Sequence, residues 1–281
     1  MTVLIAGCGD LGTEVGLRLA ALGHPVVGLR RRADRLPAAI TGVSVDLATE
    51  KPVIPADTDL VIVTVAAGNP DPAVYRAAYV TGLGNLLDAL DEAEVTPRRF
   101  LMVSSTAVYD VNDGSTVDEL TSTGAGQGTD AILIEAEDLL RQRMPSAVVF
   151  RLAGIYGPGR ERLIGQVRSG RATVSERNRL TNRIHRDDAA ASIVHLMLRA
   201  EQPETLYLGV DSAPVPSVEV LSFLAEELGL PEPEIVENGG TRGGDKRLSN
   251  RRLLQTGFVF EYPSYREGYR AVLAGRGSRH L

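Results

Sequence analysis

The first twelve residues of the chain constrain its fold more than any other stretch. A short apolar run, Val3 to Ala6, ends at Gly7, and Gly9 and Gly12 complete the spacing G-x-G-x-x-G. Apolar residues then recur at helical spacing until Gly23. The pattern predicts a β-strand, a tight turn and an α-helix.

Each glycine has a chemical reason in a turn that binds a dinucleotide. Gly7 permits the turn, Gly9 lets the backbone approach a pyrophosphate, and Gly12 brings the helix close to the strand. The helix N-terminus, with Asp10 and Leu11 in its first turn, would bind the anion through free N–H groups and its dipole. A plain strand-to-helix turn is the alternative, but the position between a strand and a helix favours dinucleotide binding.

The second predicted strand, Pro25 to Arg30, ends where a dinucleotide fold distinguishes NAD from NADP. An acidic side chain there would bind the ribose 2′-hydroxyl of NAD. This sequence has Arg30 and Arg31 instead, and a guanidinium suits a 2′-phosphate. Asp34 falls four residues late. NADP is therefore the predicted cofactor and NAD the alternative, although such arginines can also form a solvated basic turn.

Small and acidic residues follow the next two predicted strands. The third strand ends at Asp46, and the fourth, Leu60 to Val65, is apolar without alternation, as in a strand covered on both faces. Ala66 and Ala67 come next, and small residues there let a ribose or flat ring approach the backbone. We therefore count Asp46, Ala66 and Ala67 among the predicted cofactor-binding residues.

Composition narrows the class of protein. The chain has 281 residues, 43% of them hydrophobic, which suits one large domain or somewhat more. A net charge of -6, with no basic cluster beyond Arg30 to Arg32, argues against a nucleic-acid partner. Cys8 is the single cysteine, and the four histidines show no metal-ligand spacing.

The sequence shows neither of two common targeting features. No apolar run reaches membrane-spanning length, and no signal peptide precedes the first strand. We expect a cytoplasmic protein with a small-molecule substrate and no membrane partner. Its oligomeric state is left open.

Three later motifs resemble a known superfamily. They run from Ser104 to Tyr109, from Phe150 to Gly159 and from Arg183 to Ala190. With the opening glycines, they make the chain similar over nearly its full length to the extended short-chain dehydrogenases/reductases, the NAD-dependent epimerase/dehydratase group. The resemblance implies an α/β fold, a doubly wound parallel Rossmann sheet with a smaller C-terminal substrate lobe. It also implies that Ser105 hydrogen-bonds the reacting oxygen.

The same resemblance predicts how the chain is divided. Residues 1–155 would form the dinucleotide-binding domain, and residues 187–210 would return to it. Residues 156–186 and 211–281 would form the substrate lobe.

One departure from the superfamily concerns proton transfer. Members that move hydride use a Tyr-x-x-x-Lys pair on the helix after the fifth strand. Aligning that helix by Glu137 places Thr129 and Leu133 at the two positions. Neither can serve, because a threonine hydroxyl is far less acidic than a phenol and leucine carries no charge.

Two functions follow from this departure. Tyr109 and Tyr156 are the predicted substitutes in catalysis, with His185 as a third candidate, although each can also be a core residue. The first function is an NADP-dependent oxidoreductase or epimerase acting on a small carbonyl or hydroxyl compound. The alternative is a non-catalytic NADP(H)-binding redox sensor or regulatory protein.

Overall fold

The computed structural model describes residues 1–124, 126–177, 179–237 and 244–280. A seven-stranded sheet lies at its centre, and each strand pairs in parallel with its neighbours. The strands are β1 (Thr2–Ala6), β2 (Val26–Arg30), β3 (Thr41–Ser44), β4 (Thr58–Val63), β5 (Arg99–Ser105), β6 (Val148–Leu152) and β7 (Leu206–Gly209).

The order across the sheet is β7, β6, β5, β4, β1, β2, β3. All residues of β1 and β6 are buried, as expected for apolar strands covered on both faces. The order reverses between β1 and β4, because the chain runs from β1 outwards to β3 and then returns to start the other half. Open α/β sheets bind ligands at such a switch point, beyond the carboxyl ends of the strands.

Helices cover both faces of the sheet. One apolar core joins the sheet to α1 and α6, and a second joins it to α3 and α4. The nine helices in the described residues are α1 (Asp10–Ala21), α2 (Pro72–Arg76), α3 (Gly82–Glu92), α4 (Thr129–Arg143), α5 (Arg162–Arg168), α6 (Arg186–Leu198), α7 (Ser217–Leu228), α8 (Arg251–Gln255) and α9 (Tyr265–Leu273).

The start of α2 follows the sequence pattern. Asp71 is the N-cap, and its Oδ1 accepts hydrogen bonds from the Ala73 and Val74 amides at 2.8 and 3.2 Å, while Pro72 is the first helical residue. A π-helical turn, Ala77–Thr81, separates α2 from α3.

The second half of the chain builds a smaller structure beside the sheet. Its core contains side chains from α5, α7 and α9. Short strand pairs hold its loops: Gly154–Tyr156 with Arg183–His185, Thr173–Ser175 with Glu234–Val236, Leu180–Thr181 with Val215–Pro216, and Thr116–Val117 with Arg247–Leu248. The chain returns to the main sheet through α6 and β7, whereas the exact domain boundaries stay a prediction.

Two features are absent from the described ranges. No helix among them has both the length and the apolar character needed to cross a membrane. Nor do they contain three or more His, Cys, Asp or Glu side chains grouped to hold a metal ion.

Candidate functional site

A cavity of about 840 Å³ opens beyond the carboxyl ends of β1, β2, β3 and β4. It lies at the switch point of the sheet, and its volume is within the usual range for small-molecule sites. Nine of the ten predicted cofactor residues line it: Gly7, Gly9, Asp10, Leu11, Arg30, Arg31, Asp46, Ala66 and Ala67.

The glycine loop forms the floor of this cavity. Gly7 has a φ of +78°, and a Cβ there would lie 2.6 Å from the backbone of Val65. A side chain at Gly7 would therefore clash with the end of β4. Gly9 differs, because the nearest atom to a Cβ there is the Gly7 carbonyl oxygen at 3.8 Å. The space above Gly9 is open to a ligand.

Gly12, the tenth predicted residue, does not line the cavity but packs beneath it. A Cβ at Gly12 would lie 2.5 Å from Thr64 Oγ1 and 3.2 Å from Ile5. The absence of a side chain thus lets α1 approach the sheet closely. Thr64 Oγ1 also donates to the Gly7 carbonyl at 3.1 Å, which ties the end of β4 to the loop.

The N-terminus of α1 faces the same cavity. Gly9 is its N-cap, and no side chain caps it. The first N–H groups of a helix have no partner within the helix, and together with the helix dipole they favour an anion. Asp10, the first helical residue, brings a negative charge to this position, and its side chain is 10% exposed.

Three consecutive arginines line the cavity where β2 ends. Arg30, Arg31 and Arg32 all line it, and Arg31 and Arg32 are exposed. Asp34, the alternative ligand for an NAD ribose, is exposed on a short 3₁₀ turn and is not among the lining residues. The end of the cavity nearest β2 therefore carries positive charge.

The remaining predicted residues form the walls. Asp46 follows β3, and its Oδ1 accepts a hydrogen bond from the Ala48 amide at 3.1 Å, which holds the turn beside the cavity. Ala66 and Ala67 follow β4 and line the cavity with small side chains.

Ser105 is the last residue of β5, the strand next to β4. Its Oγ accepts a hydrogen bond from the Ala107 amide at 3.1 Å. It does not line the cavity, but it stands at the carboxyl end of the strand that adjoins the cavity wall. A ligand that extends from β2 across β1 and β4 would reach Ser105 next.

The structure places Tyr109 away from this line. Its side chain is 1% exposed, and its hydroxyl accepts a hydrogen bond from Arg151 Nη1 at 2.7 Å. Burial raises the pKa of the phenol, despite the neighbouring Arg151 charge. These contacts support a structural role for Tyr109, and its predicted exchange of protons with a substrate stays a prediction.

Tyr156 and His185 lie in the core of the smaller structure. Tyr156 is 4% exposed, its hydroxyl donates to the Ser264 carbonyl at 3.5 Å, and burial raises its pKa. The ring of His185 packs edge-on against Tyr156 at 5.3 Å, and burial lowers its pKa to about 4. Neither side chain lines the cavity.

Thr129 and Leu133 lie on the first turns of α4, at the positions that the resemblance assigns to tyrosine and lysine. Thr129 begins the helix and is half-buried, and Leu133 is 4% exposed. Leu133 packs into an apolar cluster with Tyr109. In its place, a lysine would need a partner for its charge.

Two charged lining residues, Arg32 and Arg160, are not among the ten predicted cofactor residues. Arg160 belongs to the second half of the chain, and it follows the Gly157-Pro158-Gly159 turn within the motif that the resemblance identified. A basic residue directly after that turn is the only signal that the sequence offered. Leu47, Asn69, Val74, Ala77 and Ala78 also line the cavity and carried no motif.

Fold and site together define a Rossmann-type nucleotide-binding protein. The NAD(P)H-binding family profile matches residues 7–199, more than half of the chain. A Methylobacillus flagellatus protein assigned as an NAD-dependent epimerase/dehydratase is 38% identical, with 98% of each chain covered and a TM-score of 0.80. The chain therefore belongs to the NAD(P)H-binding family, in its epimerase/dehydratase group.

More distant structures share the fold. A conserved Silicibacter pomeroyi protein of unknown function is 27% identical, covering 98% and 99% of the two chains, with a TM-score of 0.79. The NAD complex of Thermus thermophilus UDP-glucose 4-epimerase is 20% identical over 96% and 97% of the two chains, with a TM-score of 0.77. No curated protein matches the sequence.

Proposed function

We propose that this protein is an NADP-dependent oxidoreductase or epimerase that acts on a small carbonyl or hydroxyl compound. One observation carries the proposal: a single cavity joins the open glycine loop to three consecutive arginines. The glycine loop supports a dinucleotide, and the arginines favour one that carries a 2′-phosphate.

The sheet order gives the expected path of the cofactor. The adenosine would lie over β2 and β3, between Arg31 and Asp46, and the pyrophosphate would lie over the glycine loop. The nicotinamide would then extend past Ala66 and Ala67 towards Ser105. NADP would supply or accept a hydride at that end.

The role proposed for Ser105 is to hold the reacting oxygen. Its hydroxyl is half-buried at the end of β5, where it can donate to a carbonyl or hydroxyl beside a nicotinamide. The buried positions of Tyr109 and Tyr156 argue against a part for either phenol in this proposed site. Proton exchange with the substrate would then fall to solvent or to a side chain outside the predicted set.

A non-catalytic NADP(H)-binding sensor is the second candidate. The observation that favours it is the environment of α4, where Thr129 and Leu133 supply neither a phenol nor a charge. Such a protein would bind the cofactor tightly and release no product.

The experiment is a titration of the purified protein with NADPH and NADH, in which cofactor fluorescence reports binding. Carbonyl compounds and UDP-sugars are then screened for cofactor oxidation or epimerisation. Tight NADPH binding with turnover supports the enzyme, and tight binding without turnover of any compound supports the sensor. Absence of binding to both cofactors would contradict both functions.

A further inference from the structure

Asp10 presents an electrostatic problem at the proposed pyrophosphate site. It is the first residue of α1, at the helix end where the phosphates of a dinucleotide would lie. An unpaired carboxylate there would repel them. The surroundings of Asp10 therefore decide whether this cavity can accept an anion.

Two arginines and one amide bind the Asp10 carboxylate. Oδ1 accepts from Arg186 Nη1 at 2.9 Å and from the His280 amide at 3.1 Å, and Oδ2 accepts from Arg160 Nε at 2.7 Å. Burial acts to raise the pKa of Asp10, but these hydrogen bonds and the two guanidinium charges outweigh it and lower the pKa. Asp10 is thus ionised, with its charge compensated by two cations.

The two arginines differ in how many guanidinium nitrogens they leave available to a ligand. Arg186 is 1% exposed, and its remaining nitrogens bind Asp187 Oδ1 at 2.5 Å and the Ser278 carbonyl at 2.8 Å. Arg160 is 38% exposed, and its Nε donates to Asp10. Within the described ranges, Nη1 and Nη2 of Arg160 bind no protein group, and Arg160 lines the cavity.

The turn that carries Arg160 is fixed against the C-terminal segment. A Cβ at Gly159 would overlap the side chain of Arg279, and one at Gly277 would lie 2.7 Å from Pro158 Cγ. His280 Nε2 lies 2.8 Å from Glu14 Oε2 on α1. The turn is therefore packed against the C-terminal segment, and Asp10 holds the Arg160 guanidinium through Nε. This restraint reduces the entropy lost when the guanidinium binds a ligand.

We propose that Arg160 binds the pyrophosphate of the cofactor, so that the second half of the chain completes the dinucleotide site. This inference rests on the proposed function. The two free guanidinium nitrogens can donate in parallel to phosphate oxygens, the bidentate geometry in which arginine binds phosphate most strongly. Asp10 orients this fork through Nε.

The test compares Arg160→Ala with Arg162→Ala, which removes an exposed arginine that does not line the cavity. Arg160→Ala should weaken NADPH and ADP-ribose binding about tenfold to a hundredfold. Adenosine 2′-monophosphate, which lacks a 5′-phosphate, should compete equally well with both variants. Arg162→Ala should bind NADPH as the unmodified protein does.

A double variant separates direct binding from mere compensation of Asp10. If Arg160 only neutralises Asp10, then Asp10→Asn combined with Arg160→Ala should restore the affinity. If Arg160 binds the phosphates, the double variant should stay weak. Restored affinity, or an Arg160→Ala affinity within twofold of the unmodified protein, would overturn the proposal. Failure of the unmodified protein to bind any of the three pyrophosphate-containing probes (NADPH, NADH and ADP-ribose) would instead overturn the proposed function.

Discussion

Arg151 and Glu137 form a buried ion pair that joins β6 to α4. Arg151 Nε donates to Glu137 Oε1 at 2.9 Å and Nη2 donates to Oε2 at 2.6 Å, with side chains that are 4% and 0% exposed. Burial acts to raise the pKa of Glu137, but the Arg151 hydrogen bonds outweigh it and lower the pKa. Ser104 Oγ, one residue before Ser105, also donates to Oε1 at 2.6 Å. The pair therefore fixes the strand end that carries the proposed substrate serine.

Breaking this pair should be costly. Arg151→Met leaves the Glu137 charge buried without its main partner, and we expect the free energy of unfolding to fall by about 3–5 kcal/mol. Arg143→Met is the matched control, because Arg143 pairs with Asp88 and Asp91 at the surface. It should cost less than about 1 kcal/mol. Denaturant unfolding measures both, and equal losses would contradict the prediction.

The same substitution at two loop glycines should affect different properties, cofactor binding at Gly9 and stability at Gly12. Gly9→Val fills the open space that the pyrophosphate needs, so it should abolish thermal stabilisation by NADPH while the ligand-free Tm changes little. Gly12→Val forces a branched side chain against Thr64 and Ile5. This overpacking should lower the free energy of unfolding by about 1–3 kcal/mol, and with it the ligand-free Tm. Undiminished NADPH stabilisation of Gly9→Val would place the cofactor elsewhere.

The glycine loop could be predicted from the sequence because its conformation depends on residues that are close together in the chain. A strand, a turn with φ of +78° at Gly7 and a helix lie within one stretch of chain, so residue type and spacing indicate the structure. The fold class and family were predicted for the same reason, from several motifs in a fixed order. Both are confirmed.

Contacts between residues from distant parts of the chain could not be predicted from local patterns. Arg160 reaches the cavity only because the second half of the chain packs on α1, 150 positions away from Asp10. Tyr109 is the last residue of a motif, but its hydroxyl accepts a hydrogen bond from Arg151 on another strand. The motifs therefore did not indicate the contacts that surround either Tyr109 or Arg160.

Cofactor preference should depend on the arginines after β2. We expect NADPH to bind about tenfold more tightly than NADH, since charge-assisted hydrogen bonds to the 2′-phosphate contribute about 1.5–3 kcal/mol. Arg31→Ala should narrow that difference. Arg35→Ala removes an exposed arginine that does not line the cavity and should preserve it. Equal affinities of the unmodified protein for NADPH and NADH would contradict the preference for NADP. They would favour Asp34 as the ligand of the NAD ribose.

Asp211 should make stability depend on pH. Its side chain is buried, and burial raises its pKa to about 7 although the Arg183 charge acts in the opposite direction. The folded protein therefore binds this proton more tightly than the unfolded chain, so the contribution of Asp211 to stability falls as pH rises from about 4 to 7. Asp211→Asn removes this titration and should gain a few kcal/mol relative to the unmodified protein across that window. A stability difference between the two proteins that is constant from pH 4 to 7 would contradict the assignment.

Ser105 should affect turnover, whereas the buried Tyr109 should affect stability. Once a substrate is found, Ser105→Ala should lower kcat about a hundredfold or more, because it removes the proposed hydrogen bond to the reacting oxygen. Thr129→Val should change kcat little. Tyr109→Phe leaves Arg151 Nη1 without its acceptor, which should cost about 1–3 kcal/mol of stability with kcat nearly unchanged. Steady-state kinetics and denaturant unfolding of the same preparations distinguish the two effects. A Tyr109→Phe protein with full stability and a hundredfold loss of kcat would show that the phenol takes part in the reaction. Full activity of Ser105→Ala would contradict the proposed role of the serine.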